Sequence, residues 1–298
     1  MKQKANQSGF TLAEIAIVLA IIGIAMTMGL KLLTATLENG AISETQAKQD
    51  RIKLALVSYL RTNGRLPCPD TATPATGNEV TPCIASPALG FGVLPWLTLQ
   101  LPRDAVLDGW GNFFSYRVAN TQPAEVVRNW TLRTPIGTAF DINELTTPNA
   151  ALIIQERTAP AAALTQITEQ AVVVILSHGK NGAGALTTRP PAHPALPRLA
   201  LPGVGVALDE NTNGTVGART FVRRAFNENP QDAVPPVPPP VNPGGPFDDL
   251  VAYMTGQELL RSLTTERTLF GCEHYCAPGA PACAATNIPV GAATATCP

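Results

Sequence analysis

The chain contains 298 residues, of which 45% are hydrophobic and 14% are charged, and its formal net charge is -1. This composition indicates a folded protein of one or two domains, and it lacks the basic excess with which nucleic-acid-binding proteins neutralise phosphates. Aromatic residues are scarce at 5%, whereas proline (28) and glycine (24) are abundant, which predicts a loop-rich body with small sheets. We therefore expect protein partners and no nucleic-acid partner.

The first predicted element is a long apolar helix behind a short basic leader. Residues 1–9 are polar and contain Lys2 and Lys4, whereas residues 10–33 are almost entirely apolar. With a helical rise of about 1.5 Å per residue, this apolar segment is long enough to cross a bilayer. The positive leader predicts that the N-terminus stays in the cytoplasm and that the rest of the chain is exported.

Glu14 is the exceptional residue of this apolar segment. A carboxylate at membrane depth costs about 2.5 kcal/mol or more, so it usually has a partner or a function. An ordinary secretory signal has a shorter apolar core that ends in a small-residue cleavage site, and residues 10–33 continue without such a site. The pattern favours a retained membrane helix that carries a functional acid.

The heptapeptide SGFTLAE at residues 8–14, followed by an apolar helix, resembles the precursor signal of type IV pilins and type II secretion pseudopilins. The resemblance implies that a prepilin peptidase cuts between Gly9 and Phe10 and that Phe10 is then N-methylated. It also implies that Glu14, the fifth residue of the mature chain, pairs with the terminal amine of a neighbouring subunit. Removal of the leader creates the cation that such a carboxylate needs.

Residues 34–63 are predicted to continue the helix outside the membrane. Apolar or uncharged side chains recur there at steps of three and four residues, and charged side chains occupy the remaining face. The stripe consists of Ile42, Thr45, Gln49, Ile52, Leu56, Tyr59 and Leu60. We expect this stripe to contact the body, and we expect Gly64 to end the helix.

Six cysteines form an even set, which in an exported protein predicts disulfides. Pairing of Cys68 with Cys83 would close a loop of about 15 residues and stabilise the fold by about 3 kcal/mol. The other four are Cys272, Cys276, Cys283 and Cys297. They lie in a Cys-rich tail, residues 271–298, where two disulfides are favoured over a zinc site because the Cys-x2-Cys spacing is missing.

Short segments of the body, residues 64–270, have the composition of strands. Residues 113–118 follow turn-forming residues, and residues 151–156 and 171–177 are apolar runs typical of buried strands. Together with the helix, they predict an α+β fold in which the long helix packs on an antiparallel sheet. This is also the arrangement that the resemblance to pilins implies.

The pair Ser177-His178 is the nearest approach to a catalytic motif. Neighbouring residues on a strand point to opposite faces, so these two side chains are not expected to act together as nucleophile and base. The chain offers no other hydrolytic set, and we expect the protein not to be an enzyme.

A candidate calcium site follows the Asp-x-Asn-x-Asn-Gly pattern of a calcium-binding loop. Its oxygen donors are Asp209, Asn211 and Asn213, and Asp248 or Asp249 could complete the shell from a distance. The loop is not an EF-hand, because Thr220 stands where the closing glutamate is required. A structural calcium site is one interpretation of this segment, and a solvated turn is the other.

The resemblance and the composition predict a structural subunit, a minor pilin or pseudopilin, that is inserted in the inner membrane with a periplasmic body. Its expected partners are other pilin-type subunits, the prepilin peptidase and the inner-membrane assembly platform. The bulky, irregular body favours a minor position, because it would crowd a filament shaft. The alternative is a membrane-anchored surface adhesin that uses a pilin-like anchor.

Overall fold

The computed structural model describes residues 12–72, 74–83, 87–120, 130–131, 152–158, 162–187, 198–202, 208–227 and 246–259. Within these ranges the chain has an α+β fold with a six-stranded sheet and a separate two-stranded sheet. The chain divides into two compact units, Met1–Ser43 and Glu44–Pro298.

The first unit contains the beginning of helix α1, which runs from Leu12 to Asn63. The large apolar side chains described between Leu12 and Met26 are exposed, with Leu12 at 90%, Leu19 at 62% and Met26 at 64%. The sequence predicted a transmembrane helix at residues 10–33. In the part of the chain that the structure describes, no helix has the length and hydropathy required of a membrane span.

The remainder of α1 belongs to the second unit and buries one face, as the residue spacing predicted. The buried members of the stripe are Thr45, Gln49, Ile52, Leu56 and Leu60, which are 0 to 4% exposed. The helix ends where expected, because Gly64 adopts a left-handed φ of 67° and its N–H donates to the carbonyl of Leu60 at 2.8 Å.

The six-stranded sheet is built around one long strand. Its strands are β1 (Phe91–Val93), β3 (Ser115–Val118), β4 (Leu152–Arg157), β5 (Thr165–Ser177), β7 (Thr220–Arg224) and β8 (Leu250–Thr255), while β2 (Asn112–Phe113) and β6 (Leu186–Thr187) form the small sheet. The order is β1-β3-β5-β4-β7, and β8 also pairs with β5. Residues 165–171 of β5 pair with β4, and its later residues pair with β3 and β8.

The sheet is mixed, so the expectation of an antiparallel sheet was wrong. Strands β4 and β7 pair in parallel over five registered residue pairs, from Ile153 with Thr220 to Arg157 with Arg224. The chain between them contains β5 and a short helix, α2 (Leu208–Gly214). Parallel neighbours require such a long crossover, and composition alone does not reveal which strands it joins.

The core lies between the sheet and the second part of α1. Residues 171–177 of β5 are all buried, which confirms the predicted buried strand. The segment predicted as one strand at residues 113–118 is divided between β2 and β3, because Phe114 leaves the ladder and donates its N–H to the carbonyl of Val106 at 3.0 Å.

Candidate functional site

The predicted processing site lies at the extreme N-terminus of the chain. Gly9 and Phe10 are outside the described residues, and Glu14 lies in the first turn of α1 on an exposed face. A carboxylate in the first helical turn interacts favourably with the positive end of the helix dipole. In sequence, Glu14 is four residues after Phe10, where the predicted cleavage would create a new terminal amine.

Behind Glu14, α1 presents an apolar surface that is exposed in the described part of the chain. The exposed members are Leu12, Ile15, Ile17, Val18, Leu19, Ile21, Ile22 and Met26, each at least 43% exposed. Contiguous apolar surface of this kind marks a site of contact with other proteins or with membrane.

The segment predicted as a calcium loop is folded as helix α2 and is buried. Asp209 is 2% exposed, and both of its carboxylate oxygens accept hydrogen bonds from Arg157 of β4, at 2.8 Å from Nε and 3.1 Å from Nη2. Arg224 of β7 approaches the same carboxylate at 3.4 Å. The carboxylate therefore joins α2 to the parallel strand pair.

Asn213, at the other end of α2, is bonded to the backbone of β7. Its Oδ1 accepts the N–H of Val222 at 2.7 Å, and its Nδ2 donates to the carbonyl of Val222 at 3.0 Å and to Oδ2 of Asp249 at 2.9 Å. The side chain thus bonds to β7 as a neighbouring strand would.

These contacts use the oxygens that a calcium ion would need at Asp209 and Asn213, and Asn211 is half-exposed on α2. Among the described residues, no group of three or more His, Cys, Asp or Glu side chains is arranged to hold a metal ion. Asp209 and Asn213 are buried in a helix, so the segment is not the solvated turn of the other interpretation.

The remaining acids of this region form a buried network with the turn after β5. Asn181 donates its backbone N–H to Asp248 at 2.7 Å and its side-chain amide to Glu210 at 3.0 Å. Burial raises the pKa of Glu210, and burial together with the charge of Glu210 raises the pKa of Asp249 well above its ordinary value. The second oxygen of Asp249, Oδ1, has no hydrogen-bond partner within the described ranges. At Glu210 and Asp249, the surroundings therefore favour the protonated carboxyl.

Ser177 and His178 do point to different partners, as the strand geometry predicted. Ser177 donates its hydroxyl to Asp108 at 2.8 Å, whereas His178 Nε2 lies 2.8 Å from the hydroxyl of Ser115. The pair formed by Ser115 and His178 was not predicted from the sequence, because the two residues are 63 positions apart. Both side chains are at most 1% exposed.

The predicted disulfide between Cys68 and Cys83 is present, with a Cα–Cα distance of 5.8 Å. Its loop is also tied to the end of α1, because Glu79 pairs with Arg65 at 2.5 Å and accepts the hydroxyl of Tyr59 at 3.1 Å. The four cysteines of the tail, Cys272, Cys276, Cys283 and Cys297, lie outside the described residues.

Residues 4–30 match the family model of the prokaryotic N-terminal methylation motif. The methylation motif covers the bond between Gly9 and Phe10, Glu14 and the exposed apolar beginning of α1. It supports a pilin-like or pseudopilin-type protein. Comparisons of the chain with curated proteins and with solved structures gave no significant match.

Proposed function

We propose that this protein is a structural subunit of the pilin type, cleaved after Gly9 and assembled with other subunits into a type IV pilus or a type II secretion pseudopilus. The observation that carries the proposal is the methylation motif at residues 4–30, which includes an apolar helix surface that the described part of the chain leaves exposed. The apolar side chains of the body are buried in its own core, whereas those at the beginning of α1 need a partner outside the chain to cover them.

The chemistry of processing explains why an acid stands in this apolar segment. Hydrolysis of the bond between Gly9 and Phe10 leaves an α-amino group on Phe10, which is protonated at neutral pH and remains a base after N-methylation. Glu14 supplies an anion four residues further along the chain. A carboxylate in an apolar environment is stabilised by an opposite charge, so Glu14 of one subunit pairs with the Phe10 amine of another.

Before assembly, residues 10–33 hold the subunit in the inner membrane, with residues 1–9 in the cytoplasm and the body in the periplasm. The two lysines of the leader support this orientation. The disulfide between Cys68 and Cys83 is consistent with an oxidising compartment. The large body favours a minor component, and the role is structural and non-enzymatic.

The test is to produce the chain together with a prepilin peptidase and to determine the mature N-terminus by mass spectrometry. We expect loss of residues 1–9 and one added methyl group on Phe10. Recovery of an intact leader, or cleavage at another bond, contradicts the proposed processing.

Assembly is tested separately with Glu14→Gln, which removes the charge and keeps the size of the side chain. Glu38→Gln on the same helix is the matched control. We expect both variants to be cleaved, but only Glu14→Gln to be absent from sheared filaments. If the wild-type protein remains in the membrane fraction and Glu14→Gln has no effect, the anchored adhesin is the better description.

A further inference from the structure

A short segment, residues 198–202, is held over the pair of Ser115 and His178; we refer to it as the strap. Arg198 makes the main contacts, donating through Nη1 to the hydroxyl of Ser115 at 3.0 Å and to the carbonyl of Gly184 at 2.8 Å. Its guanidinium carbon lies 4.9 Å from the centre of the Phe91 ring. A single side chain therefore links the strap to β1, β3 and the turn after β5.

The backbone of the strap pairs with that turn. The N–H of Leu199 donates to the carbonyl of Ala185 at 2.8 Å, and the N–H of Gly184 donates to the carbonyl of Leu199 at 3.1 Å. Gly184 has a positive φ of 85°, and a Cβ added to it would lie 3.2 Å from His178 Cε1 and 2.9 Å from Leu201 Cδ2. The strap, the turn and the imidazole are thus packed closely together.

The contacts of Ser115 disfavour a doubly protonated His178. Arg198 only donates, so its bond to Ser115 uses the hydroxyl oxygen as an acceptor. Ser115 Oγ and His178 Nε2 are 2.8 Å apart, so a neutral imidazole with an unprotonated Nε2 accepts the hydroxyl proton. In the doubly protonated imidazolium, Nε2 donates instead, so that two cations share the Ser115 oxygen and the hydroxyl proton loses this acceptor.

The surroundings of His178 oppose its protonation in the same way. Burial lowers the pKa of His178 to about 3, and the charge of Arg198 acts in the same direction, whereas the backbone of Ala183 raises this pKa by a smaller amount. The nearby carboxylates contact the residues on either side of the histidine: Asp108 accepts the hydroxyl of Ser177, and Asp248 lies against Gly179.

We propose that the strap is a proton-sensitive latch, closed while His178 is neutral and released when His178 takes up a proton. Release would admit water to Ser115 and His178 and would free Leu199 and Leu201, which are already 41% and 36% exposed. A histidine in water has a pKa of about 6.5, so the open form gains a proton at much higher pH than the closed form. The opening equilibrium should therefore increase about tenfold for each pH unit below about 6.5.

The test is hydrogen–deuterium exchange of the full chain in detergent between about pH 4 and about pH 7.5, with rates corrected for the intrinsic pH dependence of exchange. We expect protection of the Gly184 and Leu199 amides to fall about tenfold per pH unit on acidification. Amides of β5 from residues 172–176 serve as the internal control and should keep their protection. A flat profile at the strap, or loss of β5 protection in parallel with the strap, overturns the proposal.

His178→Gln keeps a neutral hydrogen-bond acceptor but cannot be protonated. We expect strap exchange in this variant to be independent of pH whatever its absolute rate, and an unchanged slope refutes the role of His178. If the variant does not fold, the wild-type imidazole is observed directly by NMR. A neutral His178 ring at about pH 5 with the strap closed supports the latch, and a protonated ring with the strap still protected contradicts it.

Discussion

Two stretches of the same helix have opposite surroundings. From Leu12 to Met26, the large apolar side chains of α1 are exposed, whereas from Thr45 to Leu60 one face of the helix is buried against the sheet of the body. Both stretches have the same regular backbone, so the difference lies in the side chains and in what covers them.

The comparison shows that burial inside the body is selective. The buried stripe includes the polar residues Thr45 and Gln49, because each finds a hydrogen-bond partner: Thr45 Oγ1 accepts the N–H of Gly109 at 2.9 Å, and Gln49 donates to the carbonyl of Leu250 at 2.8 Å. The exposed stretch is more apolar, and the described residues nevertheless leave it uncovered. The proposed function would account for its composition, because the membrane or neighbouring subunits would then cover it.

The largest effect is expected at the centre of the buried stripe. Leu56 is 0% exposed, and Leu56→Ala should lower the free energy of unfolding by about 2–5 kcal/mol, because it removes buried apolar surface and leaves a cavity. Leu54→Ala is the matched control, since Leu54 is 72% exposed, and it should change stability by less than about 0.5 kcal/mol. Urea unfolding in detergent measures the unfolding free energy of both variants. Equal losses of stability would contradict the assignment of Leu56 to a buried face and Leu54 to an exposed one.

A smaller effect is expected at the polar member of the stripe. Gln49 donates to the carbonyls of Ile175 and Leu250, at 3.1 Å and 2.8 Å. Gln49→Leu leaves both carbonyls without this donor and should cost about 1–3 kcal/mol. Gln46→Leu, on the exposed face, is the control and should cost less than about 0.5 kcal/mol. A neutral result for Gln49→Leu would mean that water replaces the amide.

The stability of the body should also depend on pH, because the body contains the buried carboxyl group of Asp249. The folded-state pKa of Asp249 is raised, so its contribution to stability is present below about pH 4 and is lost as the pH rises through the folded pKa. Asp249→Asn cannot ionise and should keep that contribution. We expect the stability of the variant relative to wild type to increase with pH in urea unfolding, and a constant difference contradicts the assignment.

The smallest effect on stability is expected in the exposed stretch. Ile17 and Leu19 are 61% and 62% exposed, so Ile17→Ala and Leu19→Ala should change the unfolding free energy of the body by less than about 0.5 kcal/mol. The same variants should reduce recovery of the protein in sheared filaments. If these variants destabilise the body and leave assembly unchanged, the exposed stretch contributes to the fold of the body and not to contacts between subunits.

Most features that were predicted correctly depend on patterns of residues close together in the sequence. The spacing of residues 45–60 identified the buried face, residues 171–177 were identified as a buried strand, and the short loop between Cys68 and Cys83 indicated the disulfide. The pattern of residues 209–214 did not reveal the contacts that its side chains make in the fold. The same oxygens that can bind calcium can also accept hydrogen bonds, and Arg157 and Val222, which occupy them, lie elsewhere in the chain.

The sequence by itself determined the signal of residues 8–14, the helical periodicity and the end of α1 at Gly64, because each depends on residues close together in the chain. Only the tertiary structure decided that β4 and β7 are parallel, that Asp209 pairs with Arg157 across 52 positions, and that Ser115 contacts His178. These contacts depend on which distant segments meet in the core, and burial then determines which groups stay charged and which remain neutral.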